Sequence, residues 1–214
     1  MGEILLVRHG QANSAATTEA GYDRLSELGH RQAAWLGDWL RAHEAPFDRV
    51  LSGTLRRHRE TAAAMGLAPD EEDARLNELD YYNLTEALTV AKGVPAPGAD
   101  GFADHMPQVF AAWHAAEIAG AEPYARFEAR VKEILDEAAI PGRRILCVTS
   151  GGVIGMVLRH VLGLDLDRMA QVMLPIFNSS IHRLHATPRG AILAGYNAVP
   201  HLEAPDRRAA RTNY

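Results

Sequence analysis

Hydrophobic positions along the chain alternate between two periods. Ile4 to Val7 is an unbroken apolar run, closed by Arg8-His9-Gly10. A short apolar run between polar boundaries predicts a buried strand. Ala33, Leu36, Trp39 and Leu40 then recur at helical spacing through Arg41, behind Ser26 as N-cap. Trp35 lies off that stripe and is expected to meet a neighbouring element. Pro46 separates this helix from a second strand, Phe47 to Leu51, after which Ser52-Gly53-Thr54 opens a helix from Leu55 to about Met65. Tyr124, Phe127, Val131, Ile134 and Leu135 mark another amphipathic helix, with Arg126, Arg130 and Glu133 on its wet side. Arg144 to Thr149 is a third strand, followed by Ser150-Gly151-Gly152 and a helix from Val153 to Leu162. A short helix near Asp165 to Leu174 precedes a hairpin, Ser180 to Ala186 with Ala191 to Gly195. Strand alternating with helix predicts an α/β fold with a mostly parallel central sheet between helical layers.

Residues 66–122 break this rhythm. An acidic turn (Pro69 to Asp73), a mixed stretch (Leu76 to Tyr82) and a Pro-rich loop (Pro95 to Gly98) come before a helical stripe, Phe102 to Glu117. The region carries too little apolar mass for a core of its own, so it reads as an insertion laid over a single domain spanning 1–214.

Composition narrows the function classes. The chain has 214 residues, 47% of them hydrophobic, and a formal net charge of -5. That is enough for a substantial core, and no basic stripe points to nucleic acid. Arg207-Arg208-Ala209-Ala210-Arg211 reads as a frayed tail. Cys147, the single cysteine, sits in an apolar run and reads as a buried structural thiol. No apolar stretch is long enough to span a bilayer and no leader precedes the first strand, so a cytoplasmic location is the default expectation. His182 and His185 fall on opposite faces of a strand, so no metal site is expected from them.

Three segments stand at strand ends: Arg8-His9, Ser52 through Arg57, and Ser150-Gly151-Gly152. In a parallel sheet those ends share one edge, where ligands are held. Guanidinium forks match phosphoryl oxygens, a neutral imidazole can attack phosphorus, and glycines at a helix start expose N–H donors to an anion. The expected partner is therefore an anionic phosphorylated small molecule or phosphoprotein.

The motifs sharpen this. Leu6-Val7-Arg8-His9-Gly10-Gln11-Ala12-Asn13, Leu25 to Ala33, Leu51 to Ala62 and Leu76-Asn77-Glu78 together resemble the signature segments of the histidine phosphatase superfamily, also called phosphoglycerate mutase-like. The resemblance runs over nearly the whole chain and implies that family's three-layer sandwich, with a helical insertion over the active site. It implies His9 as nucleophile, Arg8 and Arg57 gripping the phosphoryl oxygens, and Glu78 as general acid. Asn13, Ser150 and Gly151 complete the implied phosphate site, with Gln11 and His201 as further candidates. The implied reaction is hydrolysis of a phosphomonoester or phosphohistidine through a phosphohistidine intermediate. The resemblance implies no cofactor, and a phosphoglycerate mutase-type transfer and a catalytically weak or inactive phosphate-binding regulatory module are the alternatives.

One position departs from the family pattern. Where the superfamily has a second histidine after the third strand, this chain has Ser150. A neutral hydroxyl contributes about 1 kcal/mol against roughly 1.5–3 for a charge-assisted bond, so a slower enzyme is expected. His201, in Asn197 to Leu202, is a candidate to fill the gap. His58, where the family usually has alanine, is expected to point elsewhere and to pack.

Overall fold

The computed structural model describes residues 2–16, 18–98 and 101–213. Its centre is a six-stranded sheet in the order β3-β2-β4-β1-β5-β6. The strands are β1 (Gly2–Arg8), β2 (Arg49–Ser52), β3 (Glu71–Glu72), β4 (Arg144–Thr149), β5 (Ile181–Thr187) and β6 (Gly190–Ala198). The first four by sheet position run parallel, and the hairpin β5–β6 joins β1 antiparallel. The sheet is therefore mixed, with helices on both faces.

Period-two alternation decides which helix meets which face. Leu5 and Val7 of β1, with Val50, Leu146 and Val148, pack beneath α2 (Glu27–His43) and α3 (Arg56–Ala64). Ile4 and Leu6, with Leu51, Ile145 and Cys147, face the other layer. That layer holds α4 (Tyr81–Lys92), α5 (Phe102–His114), α6 (Tyr124–Ala138), α7 (Gly151–Leu162) and α8 (Leu166–Met173). A four-residue α1 (Glu19–Tyr22) lies in the loop after β1. The buried Cys147 thiol is pushed up to about 12 by burial, which makes it an inert core group.

Residues 66–122 bury Leu84, Leu88, Met106, Val109, Phe110 and Trp113 in the same cluster as the sheet face. Residues 99 and 100 of this region lie outside those described. The sequence pattern missed α4, whose alternation is diluted by Asn83, Thr85 and Glu86, and the two-residue β3.

Two further expectations are corrected. Arg130 is not on the wet face of α6: it is buried, paired with Glu122, and donates to the carbonyls of Arg75 and Asn77 at 2.8 Å each. It is one turn from Phe127 on the inward stripe, where the Arg75 and Asn77 carbonyls accept from its fork. Nor is residue 207–211 a frayed tail. Ala210 is buried, its carbonyl accepts from Gln32 Nε2 at 2.7 Å, and Arg207 stacks over Trp35 at 4.8 Å. Trp35 thus meets the chain's last segment, as its off-stripe position required.

Two rings outside the sheet edge site carry a pH consequence. Burial pulls His182, which is bonded to Ser180 Oγ, and His201 from the ordinary 6.5 down to about 3. Between those values the unfolded chain binds more protons than the folded one. Stability therefore falls as pH drops below the ordinary imidazole value, by up to about 1.4 kcal/mol per pH unit for each ring. Urea unfolding at a series of pH values from about 7 to about 4 reads this slope. A midpoint that stays flat through that window would contradict it.

Candidate active site

Strand order brings the three expected segments together. β2, β4 and β1 are neighbours, with Ser52 opposite Val148 and Arg8 opposite Thr149 in register. Their carboxyl ends therefore open onto one stretch of the sheet edge. Gly10 turns the chain there against α2: a Cβ on it would sit 2.4 Å from the Gly29 carbonyl oxygen. The Gly10 N–H donates to Thr61 Oγ1 at 3.1 Å, which ties the turn to α3.

His9 is 2% exposed. Its Nδ1 donates to the Gly10 carbonyl at 2.7 Å, which fixes the neutral tautomer and leaves the lone pair on Nε2. Nε2 has no hydrogen-bond partner among the described residues. Burial, and then the charges of Arg57 and Arg8, hold its pKa well below the ordinary imidazole range.

Both arginines are buried, and their charges act on His9. Arg8 donates through one terminal nitrogen to the carbonyls of Ile176 and Asn213. Arg57 is bound by Glu19 at 2.7 Å and Asp23 at 3.1 Å, and its guanidinium lies 5.0 Å from the centre of the Tyr22 ring. Burial opposes the Arg57 charge, and Glu19, Tyr22 and Glu78 together more than offset it, holding the pKa above the ordinary value. On both side chains the Nε–H is buried without a hydrogen-bond partner among the described residues. Buried donors of a charged group are rarely left unpaired, so two of them at one sheet edge mark a place for an anion.

Glu78 reaches the same place from the loop after a 3-10 turn at Ala74–Leu76. That loop is pinned by Arg130 at two carbonyls, by Thr149 Oγ1 donating to Leu76 O at 2.6 Å, and by Asn77 at Thr54. Glu78 Oε2 accepts from the Gly152 N–H at 3.0 Å, in the first turn of α7. A Cβ at residue 152 would fall 2.2 Å from Glu78 Oε1, so only glycine lets the carboxylate approach this closely. Gly152 therefore serves the carboxylate, while Gly151 packs against Arg8, where a Cβ would lie 3.6 Å from Nε. Arg8, Glu78, Gly151 and Gly152 share a cavity of about 50 Å³ with Phe102, Met106, Met173, Leu174 and Asn213.

A family model for histidine phosphatase superfamily (branch 1) matches residues 4–199. The chain belongs to the histidine phosphatase superfamily. Membership brings a phosphomonoester hydrolase or mutase type of reaction with it. A phosphoserine phosphatase of Entamoeba histolytica, in complex with phosphoserine, superposes with a TM-score of 0.68 at 16% identity, covering 94% of this chain and 100% of that one. A phosphoglycerate mutase of Bacillus anthracis gives 0.70 at 20% identity, covering 93% and 94%. The likeness to these two structures is one of fold. A Drosophila willistoni mitochondrial serine/threonine-protein phosphatase, Pgam5, is 31% identical over 96 residues, or 44% of this chain and 29% of that protein. The chain spans less than a third of that relative's length.

Within this histidine phosphatase site the remaining candidates divide. Ser150, fully buried, follows the end of β4 beside His9, whose backbone N–H donates to the Thr149 carbonyl at 2.9 Å. Asn13 stays in the loop, its Nδ2 donating to the Gly21 carbonyl at 3.0 Å. Gln11 turns away and accepts from Ser26 Oγ at 2.8 Å, bracing the start of α2. His201 does not fill the place of the second histidine. Its Nε2 pairs with Ser179 Oγ at 2.8 Å, and its carbonyl accepts from Arg207, so it anchors the chain end.

His58 is the larger correction. It was expected to point away, yet its Nε2 lies 2.6 Å from Ser150 Oγ and its ring centre 5.7 Å from that of His9. The residue after Arg57 on α3 lies a hundred degrees round the helix, and here that direction still faces the sheet edge. Tyr22, Glu19 and Asp23 were also missed as site residues. The loop that carries them has no periodicity to announce it, and only the fold lays it over Arg57. Among the described residues no group of three or more His, Cys, Asp or Glu side chains could hold a metal ion, and no helix is long and apolar enough to cross a membrane.

Proposed function

We propose that this chain is a phosphatase that hydrolyses a phosphomonoester, or a phosphohistidine, through a phosphohistidine formed on His9. The observation that carries the reading is the His9 tautomer. Nδ1 is locked on Gly10, so Nε2 presents its lone pair beside two buried guanidinium groups, each with an unpaired N–H. In the first step Nε2 bonds to phosphorus as the ester P–O bond breaks. Arg8 and Arg57 neutralise charge on the phosphoryl oxygens, and Glu78 gives its proton to the departing oxygen. In the second step water attacks the phosphohistidine, Glu78 takes its proton, and phosphate leaves with His9 restored.

Arg57 reaches this role by exchanging Glu19, which is about one-third exposed, for the substrate. Residues 66–122 act as the cap over the site within one functional unit, since Glu78, Phe102 and Met106 all belong to them.

Rapid quench of the chain with a labelled phosphomonoester tests the reading. The expected product is an acid-labile, base-stable phosphoenzyme whose rates of formation and decay account for turnover. Turnover with no such intermediate would overturn it. Transfer of the label to a second hydroxyl in place of water would identify a mutase instead.

A further inference from the structure

We infer that His58 and Ser150 act as one unit that takes the place of the second imidazole, with His58 fixing the Ser150 hydroxyl as a donor to the phosphoryl group. The inference rests on the phosphatase reading above. It starts from the contact itself: Nε2 of His58 and Oγ of Ser150 are 2.6 Å apart and both residues are fully buried.

Proton bookkeeping on the pair gives its direction. His58 Nδ1 is buried with no hydrogen-bond partner among the described residues. A neutral imidazole has one N–H, and burying that N–H unpaired costs more than burying an unpaired lone pair. The proton therefore sits on Nε2 and is donated to Ser150 Oγ. Burial, followed by the Arg57 charge, keeps His58 well below the ordinary imidazole range and hence neutral. Ser150 Oγ, already accepting, has no other partner among the described residues, so its own proton is free to be donated. Ser150 directly follows Thr149, whose carbonyl holds the His9 backbone, so that proton is beside the nucleophile.

The surroundings are shaped for this ring. A Cβ at residue 53 would lie 2.0 Å from His58 Nδ1, so Gly53 provides the space that the imidazole fills. A histidine at residue 150 would have to share that space with His58. Ser150 and His58 therefore read as a matched exchange of partners. Ser150 touches substrate, whereas His58 is a positioning residue that acts through it.

The test uses His58→Phe, His58→Gln, Ser150→Ala, the double variant His58→Phe/Ser150→Ala, and the exchange variant His58→Ala/Ser150→His. Thermal unfolding confirms that each is folded, and kcat, KM and vanadate affinity are then measured. His58→Phe and Ser150→Ala should each lose about ten-fold in kcat and in vanadate affinity, as befits one hydrogen bond made in the transition state. The double variant should lose no more than either single one. His58→Gln, whose Nε2–H can reach Oγ, should keep most of the rate, and the exchange variant should exceed Ser150→Ala. In the wild-type chain, nitrogen-15 NMR should find the His58 proton on Nε2. A His58→Phe chain with wild-type kcat and vanadate affinity, fully additive losses, or a proton on Nδ1 would overturn the inference and leave the phosphatase reading standing. A wild-type chain that neither turns over nor binds vanadate would overturn both.

Discussion

His9→Ala is expected to lose phosphoenzyme formation entirely and to lower kcat/KM by about 10⁴-fold or more, the scale on which nucleophiles act. Alanine removes the Nε2 lone pair but leaves Arg8, Arg57 and the pinned Glu78 loop in place, so phosphate and vanadate should still bind. Acid-quench trapping with a labelled ester, wild type beside variant, makes the comparison. A variant that accumulates phosphoenzyme in undiminished yield would assign the nucleophile elsewhere. The same residue fixes the acid side of the pH profile. Burial and the neighbouring cations hold the His9 pKa well below the ordinary range. In the wild type, kcat/KM should therefore not fall on descending through the usual imidazole value, because the nucleophile is still unprotonated there. An acid limb centred on that ordinary value would show that neither burial nor the neighbouring cations shift His9.

Glu78→Gln should divide substrates by leaving group. Loss of general acid catalysis costs about 10²–10⁴-fold when the departing oxygen needs a proton and far less when it does not. An alkyl phosphate should therefore suffer the full loss, while p-nitrophenyl phosphate keeps most of its rate. The amide reproduces the acceptor to Gly152 N but sets an NH₂ against the Leu79 N–H, where the carboxylate now accepts at 3.0 Å. That misfit touches both substrates equally, so the difference between them isolates the proton. Equal losses on the two would make Glu78 a group that positions the site and transfers no proton.

Much of this was legible in the chain itself. Ile4 to Val7, Phe47 to Leu51 and Arg144 to Thr149 announced three strands, and a parallel sheet obliges their ends to meet. Arg8, His9, Arg57, Glu78, Ser150 and Gly151 were named from that convergence and from the motifs. What escaped has a common cause. His58, Arg130 and Tyr22 are polar or amphipathic residues whose burial depends on a partner far away in sequence: Ser150, the Arg75 and Asn77 carbonyls, and Arg57. Periodicity assigns a side chain to a face of its own helix. It says nothing of an acceptor delivered to that face by another element. The chain end was misread for the same reason, since its arginines looked solvated until Trp35 and the His201 carbonyl were found beneath Arg207.

The placing of Asn213 against Arg8 has a consequence in time. The site draws on residues 8–9, 57–58, 78, 150–152 and 213, so the contacts that join these segments are long in sequence separation. Contacts of that kind close late, because loop entropy must be overcome before they contribute. The sheet and its helices can be largely formed while Arg8 still lacks one of its two carbonyl acceptors, and a chain emerging from synthesis would pass through that stage. During refolding, the far-ultraviolet signal should therefore return before the ability to form phosphohistidine. Docking of Asn213 on Arg8 is then expected as a late step, with the anion site complete only after it.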